Sequence, residues 1–325
     1  MKKNVKYDVT ALGEILIDFA DVGRTDENYP IMAANAGGAP ANFLSVLAKY
    51  GKKTAFIGKV GNDVFGNLLV ETVRHAGIDT TGVIVDDDHF TTLAFVTLDE
   101  NGDREFSFSR KPGADTCITE HEVPTDIIDE SAVFHFGTLS LTDEPSKSAL
   151  EFAVDYAIGE DCLITFDPNL RRPLWRSLDE AKKAIEWGLG KADVVKISDE
   201  ETEFLWGDIN YTDAANRLIN DYDVSLAMIT LGKNGAYVAN KNGGVYVPTP
   251  PARTIDTTGA GDIFGGSAVS CLLSFGKHPS ELSADELTEI AVFASAAASL
   301  STEKRGGIPS IPEYDAVLAY ISSQK

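Results

Sequence analysis

The sequence predicts an α/β fold built on a mostly parallel sheet flanked by helices, and three observations carry that prediction. First, short apolar runs of strand length recur at 9–12, 133–137, 162–167, 194–197 and 226–231, with helical stretches between them. Runs that are apolar throughout, rather than alternating, are what strands covered on both faces require. Second, 92–98 and 104–109 alternate in polarity around Asp99-Glu100-Asn101-Gly102-Asp103. An Asn-Gly pair supplies the positive-φ turn of a hairpin. This hairpin interrupts the strand–helix rhythm, so it is expected to leave the main sheet and to pair with 15–35 as a small second layer. Third, 325 residues at 43% hydrophobic can bury a large core as one α/β domain or two smaller ones. There is no internal repeat, low-complexity tract or linker long enough to separate domains, and 1–325 reads as one unit.

Charge and cysteine usage narrow the function. A formal charge of −22 argues against nucleic acid, because phosphate backbones attract Lys/Arg-rich surfaces. An anionic substrate would need a local basic cluster to override that field. Cys117, Cys162 and Cys271 are odd in number and lack C-x-x-C spacing, as expected of reduced thiols. No apolar segment follows Met1-Lys2-Lys3-Asn4 and no run approaches the length of a membrane span. The expectation is a cytoplasmic protein with no membrane partner.

Taken in order, the run at 9–12 ends at Gly13, and Glu14 to Phe19 again reads as strand. Ligands of open α/β sheets gather beyond the carboxyl ends of strands, which places Asp18 to face one; the alternative is a surface aspartate before the polar loop 21–28. Ala36-Gly37-Gly38-Ala39-Pro40-Ala41-Asn42 opens a helix running through Tyr50. Its glycines allow close approach of the backbone. Asn42 can bond a sugar hydroxyl or cap the helix.

Gly58-Lys59-Val60-Gly61-Asn62-Asp63 follows a strand at 54–57, and Asp63 is placed to cap the next helix. Asp86-Asp87-Asp88 reads as a solvated loop. Arg110 closes the hairpin, where it can reach a ligand beneath. Further on, Asp167-Pro168-Asn169 with Arg171-Arg172 puts a carboxylate, an amide and two cations at one strand exit, a grouping suited to phosphate. Lys196-Ile197-Ser198-Asp199-Glu200-Glu201 contains a helix-capping pattern. Thr230-Leu231-Gly232-Lys233-Asn234-Gly235 is a strand with a glycine turn. The C-terminal third is helical, broken by 304–309.

Asp256-Thr257-Thr258-Gly259-Ala260-Gly261-Asp262-Ile263-Phe264-Gly265-Gly266 leads into an apolar helix. A helix start offers unpaired N–H groups and partial positive charge, so it attracts anions. Glycines at 259 and 261 let a bulky anion approach. Asp262 would repel stored phosphate but suits phosphoryl transfer, where a base must meet a hydroxyl while the cradle holds charge. Read alone, the stretch is equally a tight turn with an acidic helix start. It is no dinucleotide fingerprint, because the next glycine falls at Gly265, and the chain has no Walker lysine motif.

In combination, these motifs resemble the ribokinase/PfkB carbohydrate kinases, and within them a bacterial fructokinase. The resemblance covers nearly the whole chain. Asp256 to Gly266 is similar to the C-terminal signature, and Gly58 to Asp63 with Gly66 to the N-terminal one. Gly13-Glu14-Ile-Leu-Ile-Asp18-Phe19, Gly37-Gly38-Ala-Pro-Ala-Asn42 and Asp167-Pro-Asn-Leu-Arg171 with Leu174-Trp175 are similar to the fructokinase branch. It implies a ribokinase-like fold, a Rossmann-like core with a β lid from 15–35 and 92–110.

By this resemblance Asp262 is the base, and the amides of Gly259, Ala260, Gly261 and Asp262 are the anion hole. Asp18, Gly37, Gly38 and Asn42 hold the sugar, with Arg110 reaching it from the lid. Arg171 touches the phosphates of ATP. Lys196, Ser198 and Glu201 organise phosphates and Mg²⁺, with Glu201 acting on the metal indirectly. Ser198 stands where the family has Asn, and its shorter hydroxyl favours a water-mediated contact. Thr230, Gly232 and Gly235, with Gly259 and Gly261, match the ATP site. Asp256, Thr258 and Ser310 match ligands of a monovalent cation, K⁺. The implied reaction is ATP-dependent phosphorylation of D-fructose to fructose 6-phosphate. The alternatives are 2-keto-3-deoxygluconate, ribose or a riboside as acceptor, or a silent sugar-binding protein of the same fold. An acidic acceptor would require a cation, for which Arg110 is placed. Exposed lid edges suggest a homodimer through the lid.

Overall fold

The computed structural model describes residues 5–98 and 104–324, so the expected Asn101-Gly102 turn lies outside the described residues. The strands are β1 (Tyr7–Leu12), β2 (Leu16–Arg24), β3 (Pro30–Gly37), β4 (Thr54–Gly61), β5 (Ile78–Asp86), β6 (Leu93–Leu98), β7 (Arg104–Ser109), β8 (Ser131–Gly137), β9 (Leu163–Asp167), β10 (Val194–Ser198), β11 (Leu226–Thr230), β12 (Ala236–Asn240) and β13 (Gly243–Val247). The helices are α1 (Ala39–Lys49), α2 (Val64–His75), α3 (Thr125–Asp129), α4 (Ser146–Gly159), α5 (Leu178–Leu189), α6 (Asp199–Trp206), α7 (Tyr211–Asp221), α8 (Ala260–Phe275), α9 (Ala284–Ser301) and α10 (Tyr314–Ser323).

A nine-stranded sheet runs β13-β12-β11-β10-β9-β8-β1-β4-β5. It is parallel from β11 to β5, while β12 and β13 add an antiparallel edge. The predicted apolar runs are its centre. Val133 faces one helical layer and Phe134 and Phe136 the other, so successive residues of β8 feed two cores. Phe136 stacks on Phe166 of β9 with ring centroids 4.7 Å apart. Strands β5, β12 and β13 were not singled out from sequence. β5 and β13 are the two edges of the sheet, where one side is less covered and residues such as Asp79, Thr80 and the Gly243-Gly244 pair interrupt the apolar signal, and β12 is a five-residue strand just inside β13.

The hairpin does leave the main sheet. It forms a four-stranded sheet in the order β3-β2-β6-β7, with β2 and β6 parallel (Ile17 opposite Leu93). Asp18 therefore lies on β2 of this small sheet, rather than past a strand of the large one.

Asp63 caps α2 as expected, its Oδ1 accepting from the amides of Phe65 and Gly66 at 2.9 and 2.8 Å. Asp86 departs from the solvated loop expected of it. It is buried at the end of β5, where its carboxylate accepts from the Asp88 and His89 amides and faces Lys59 Nζ at 3.4 Å. A charge run in sequence does not show that the main chain folds back on one of its members.

Candidate active site

Carboxyl ends of β9, β10 and β11 and the start of α8 meet the small sheet around a cleft of about 800 Å³. At its centre, Gly259 has φ 74° and precedes the first turn of α8. A Cβ there would lie 3.0 Å from Gly307 Cα, and one on Gly261 would lie 2.9 Å from Lys196 Nζ. Only glycine leaves this turn open. The Ala260 amide donates to Thr257 O at 3.2 Å, so it is the one engaged in the turn itself. First-turn amides have no partner within the helix, and the cradle at Gly261 and Asp262 faces the cleft.

Two basic side chains approach this cradle. Lys196 Nζ, buried under Gly261, pairs with Asp167 at 3.0 and 3.2 Å. Burial pushes the Asp167 carboxyl up, against the pull of Lys196. Burial disfavours the Lys196 ammonium, but Asp167, Glu201 and Asp262 outweigh that and hold its pKa above the usual lysine value. Arg171 lies close enough to favour the ionised form of Asp262. Arg172 instead packs its guanidinium over the Phe204 ring at 5.5 Å.

Asp262 is half-buried in the cleft wall, and the partial loss of solvent pushes its carboxyl up. Asn42, Lys196 and Arg171 oppose that shift. Asn42 Nδ2 donates to Asp262 Oδ2 at 2.8 Å. Asn42 therefore neither caps α1 nor waits for a ligand alone; it holds the carboxylate. Asp18 and Gly38 line the same end of the cleft. Gly37 does not, but a Cβ on it would fall 2.1 Å from Asp18 Oδ2, so its missing side chain is what admits Asp18.

Glu201 and Ser198 form the predicted capping box at the start of α6. Glu201 Oε2 accepts from the Ser198 amide and hydroxyl at 2.9 and 3.1 Å, and Oε1 accepts from the Leu170 amide at 2.8 Å. The box thus ties β10 to the Arg171 loop. Thr230, Gly232 and Gly235 line the far end of the cleft. Gly235 has φ 130°, and a Cβ on it would meet Val247 O at 2.3 Å.

Beside the cradle, Asp256 stitches two loops together. Its Oδ1 accepts from the Thr258 amide and hydroxyl, and its Oδ2 accepts from the Gly306 amide at 2.9 Å. Ser310 Oγ is buried and donates to Gly307 O at 2.8 Å. The side chains of Asp256, Thr258 and Ser310 thus hold these loops together around the cradle.

Arg110 differs from the sugar contact expected of it. The side chain is buried and ion-paired with Asp115, touching the cleft wall at Leu139 O but not itself lining the cleft. Sequence reasoning also passed over Glu14. It lines the cleft, its Oε1 accepts from the Ala39 amide at 3.0 Å, and burial pushes its carboxyl up to about 7. It substitutes for the side-chain cap that Gly38 cannot give α1. The signal available was an acid immediately after a glycine in an otherwise apolar run. Outside the cleft, ligand atoms of Asp86, His89 and Cys117 lie within 4.8 Å of one another. Lys59 already supplies that cluster with its positive charge.

Residues 6–314 match the family described as pfkB family carbohydrate kinase. Fructokinase-1 of Zea mays is 39% identical over 316 residues, covering 96% of this chain and 97% of its own length. The crystal structure of fructokinase from Xylella fastidiosa with bound ATP superposes with a TM-score of 0.88 at 27% identity, covering 98% of this chain and 99% of that one. A fructokinase double mutant from Vibrio cholerae O395, in a form with fructose, ADP and potassium ion bound, gives a TM-score of 0.86 at 29% identity, covering 98% and 100%.

Proposed function

Since the chain belongs to the pfkB family of carbohydrate kinases, we propose that it transfers the γ-phosphoryl group of ATP to a primary hydroxyl of D-fructose, giving fructose 6-phosphate. The observation that carries this reading is the placement of Asp262. Its carboxylate sits in the first turn of α8, held by Asn42 on the acceptor side and flanked by the anion cradle on the other.

A sugar hydroxyl is too weak an acid to be ionised beforehand. Its proton passes to Asp262 as the new O–P bond forms and the bond to ADP breaks. Asn42 aims the carboxylate, and the amides at Gly259, Gly261 and Asp262 with Lys196 take up negative charge on the transferring group. Arg171 holds the phosphates of ATP, and Thr230, Gly232 and Gly235 carry the nucleotide end. Magnesium, when bound, neutralises phosphate charge, and Glu201, whose carboxylate ties Ser198 to the Arg171 loop, would act on it through water. A potassium ion would sit on carbonyls near Asp256, Thr258 and Ser310.

The acceptor end is lined by Glu14, Asp18, Gly38 and Asn42, which are hydrogen-bonding groups suited to a neutral polyol rather than a carboxylate. The small sheet would act as a lid that excludes water. Its β3 and β7 edges, with Val22 and Ile31 exposed on β2 and β3, suit pairing with a second copy. The three free cysteines fit a reducing cytoplasm.

The test is Asp262→Asn: the variant should fold and bind ATP, with turnover lower by about 10²–10⁴-fold. Near-normal turnover would remove Asp262 as base. A panel of fructose, ribose, a riboside and 2-keto-3-deoxygluconate, followed by ATP consumption, tests the acceptor. Fructose should rank first.

A further inference from the structure

We propose that Asp115 determines acceptor specificity: its buried carboxylate locks both hinge strands of the lid and keeps Arg110 out of the sugar site, so the enzyme takes a neutral sugar and refuses a sugar acid. This rests on the fructokinase reading above.

Thr92 stands just before β6 and Arg110 just after β7, so these two residues are where the hairpin enters and leaves the small sheet. Both bind one carboxylate. Thr92 Oγ1 donates to Asp115 Oδ1, and Arg110 Nε donates to Asp115 Oδ2 at 2.8 Å, with Nη2 2.7 Å from the same oxygen. The side chains of Arg110 and Asp115 are 2% and 1% exposed. Gly113 closes the turn between them: a Cβ there would fall 1.8 Å from Thr92 Oγ1 and 2.9 Å from Asp115 Oδ1. The clasp has no room for another side chain.

The guanidinium is also held beyond this pair. Nη1 donates to Thr142 Oγ1 at 2.7 Å and Nη2 to Leu139 O at 2.9 Å. Leu139 and Glu14 line the cleft, and Arg110 is near enough to favour ionisation of Glu14. The cation is therefore adjacent to the acceptor end but has its donors turned elsewhere. A sugar carboxylate arriving there meets Glu14, Asp18 and Asp262 without a released guanidinium to offset them. A buried guanidinium that loses its anion must find another. Removing Asp115 thus both loosens the lid and offers Arg110 to an acidic acceptor.

The experiment compares wild type, Asp115→Ala, Arg110→Met and the double variant, with fructose and 2-keto-3-deoxygluconate as acceptors. In Asp115→Ala the fructose KM should rise about tenfold while the ATP KM stays within about twofold. The ratio of kcat/KM for the acid over fructose should rise at least about tenfold, and that gain should vanish in the double variant. A folded Asp115→Ala with an unchanged ratio, or a gain that persists without Arg110, overturns the proposal. Asp115→Asn, which keeps the shape and loses the charge, answers the same question if the alanine variant does not fold. Wild-type preference alone judges the fructokinase reading. The ratio among variants judges Asp115.

Discussion

Asn42 Nδ2 donates to Asp262 Oδ2 at 2.8 Å, joining α1 to α8 across 220 positions of sequence. The bond favours the ionised carboxylate that burial disfavours. A base must be ionised, so activity falls as pH drops through its pKa. Replacing Asn42 with Ala removes a group that lowers that pKa, and the acidic limb of kcat/KM should move to higher pH. Asn42→Asp should move it further, through like charge. Turnover at neutral pH should fall by about 10²-fold, as misplacement of a reacting group does. An acidic limb that stays put in both variants would show that Asn42 serves only the sugar.

Lys196 and Asp167 give a second prediction. Lys196→Met withdraws the ammonium beneath Gly261 and leaves Asp167 buried without its partner. Turnover should fall by about 10²–10³-fold, and stability by about 3–5 kcal/mol. Asp167→Asn should cost less in turnover than Lys196→Met, because the cation stays under the cradle. Initial rates and urea unfolding of the two variants measure both effects.

The cradle glycines should separate strain from chemistry. Gly259→Ala places a Cβ at φ 74° and 3.0 Å from Gly307 Cα, which is backbone and cannot move aside cheaply. It should lose about 1–2 kcal/mol from the dihedral alone. Gly261→Ala meets only the tip of Lys196 at 2.9 Å. That variant should unfold near the wild-type midpoint and lose turnover instead. The reverse ranking would contradict the assigned roles.

Glu14 sets a pH dependence of stability with an unusual sign. Its folded pKa of about 7 stands above the ordinary glutamate value of 4.5, so the folded state holds the proton more tightly than the unfolded chain. Stability from this group is greatest below about 4.5 and is lost as pH rises through 7, by up to about 3 kcal/mol. Glu14→Gln keeps an acceptor for the Ala39 amide and should flatten the fall in Tm between pH 5 and 7. His135 works in the opposite direction. It is buried, stacked on Phe43 at 3.7 Å and pushed down to about 3, so it destabilises the fold as pH falls below 6.5.

Much of the fold was legible because its signals are local. Strands covered on both faces read as unbroken apolar runs, and Asp63 and Ser198 cap helices that begin within three residues of them. Edge strands β5 and β13 were not, because partial exposure leaves them without an unbroken apolar run. Asp86 was misread because burial depends on what folds over a residue, which a charge run does not encode.

The sequence by itself determined the order of motifs, the glycines that open the cradle and the acid that follows them, since each depends on backbone geometry over a few residues. The tertiary structure decided which side chains those groups face. Asn42 became the partner of Asp262, Lys196 was brought under Gly261, and Arg110 was drawn to Asp115 rather than into the cleft. Apart from Arg110 and Asp115, these partners are far apart in the chain. Even that close pair gets its meaning from Thr92, Leu139 and Thr142, which meet it only after the sheets have packed. A charged side chain settles on whichever partner desolvates it at least cost, and that choice is made by packing.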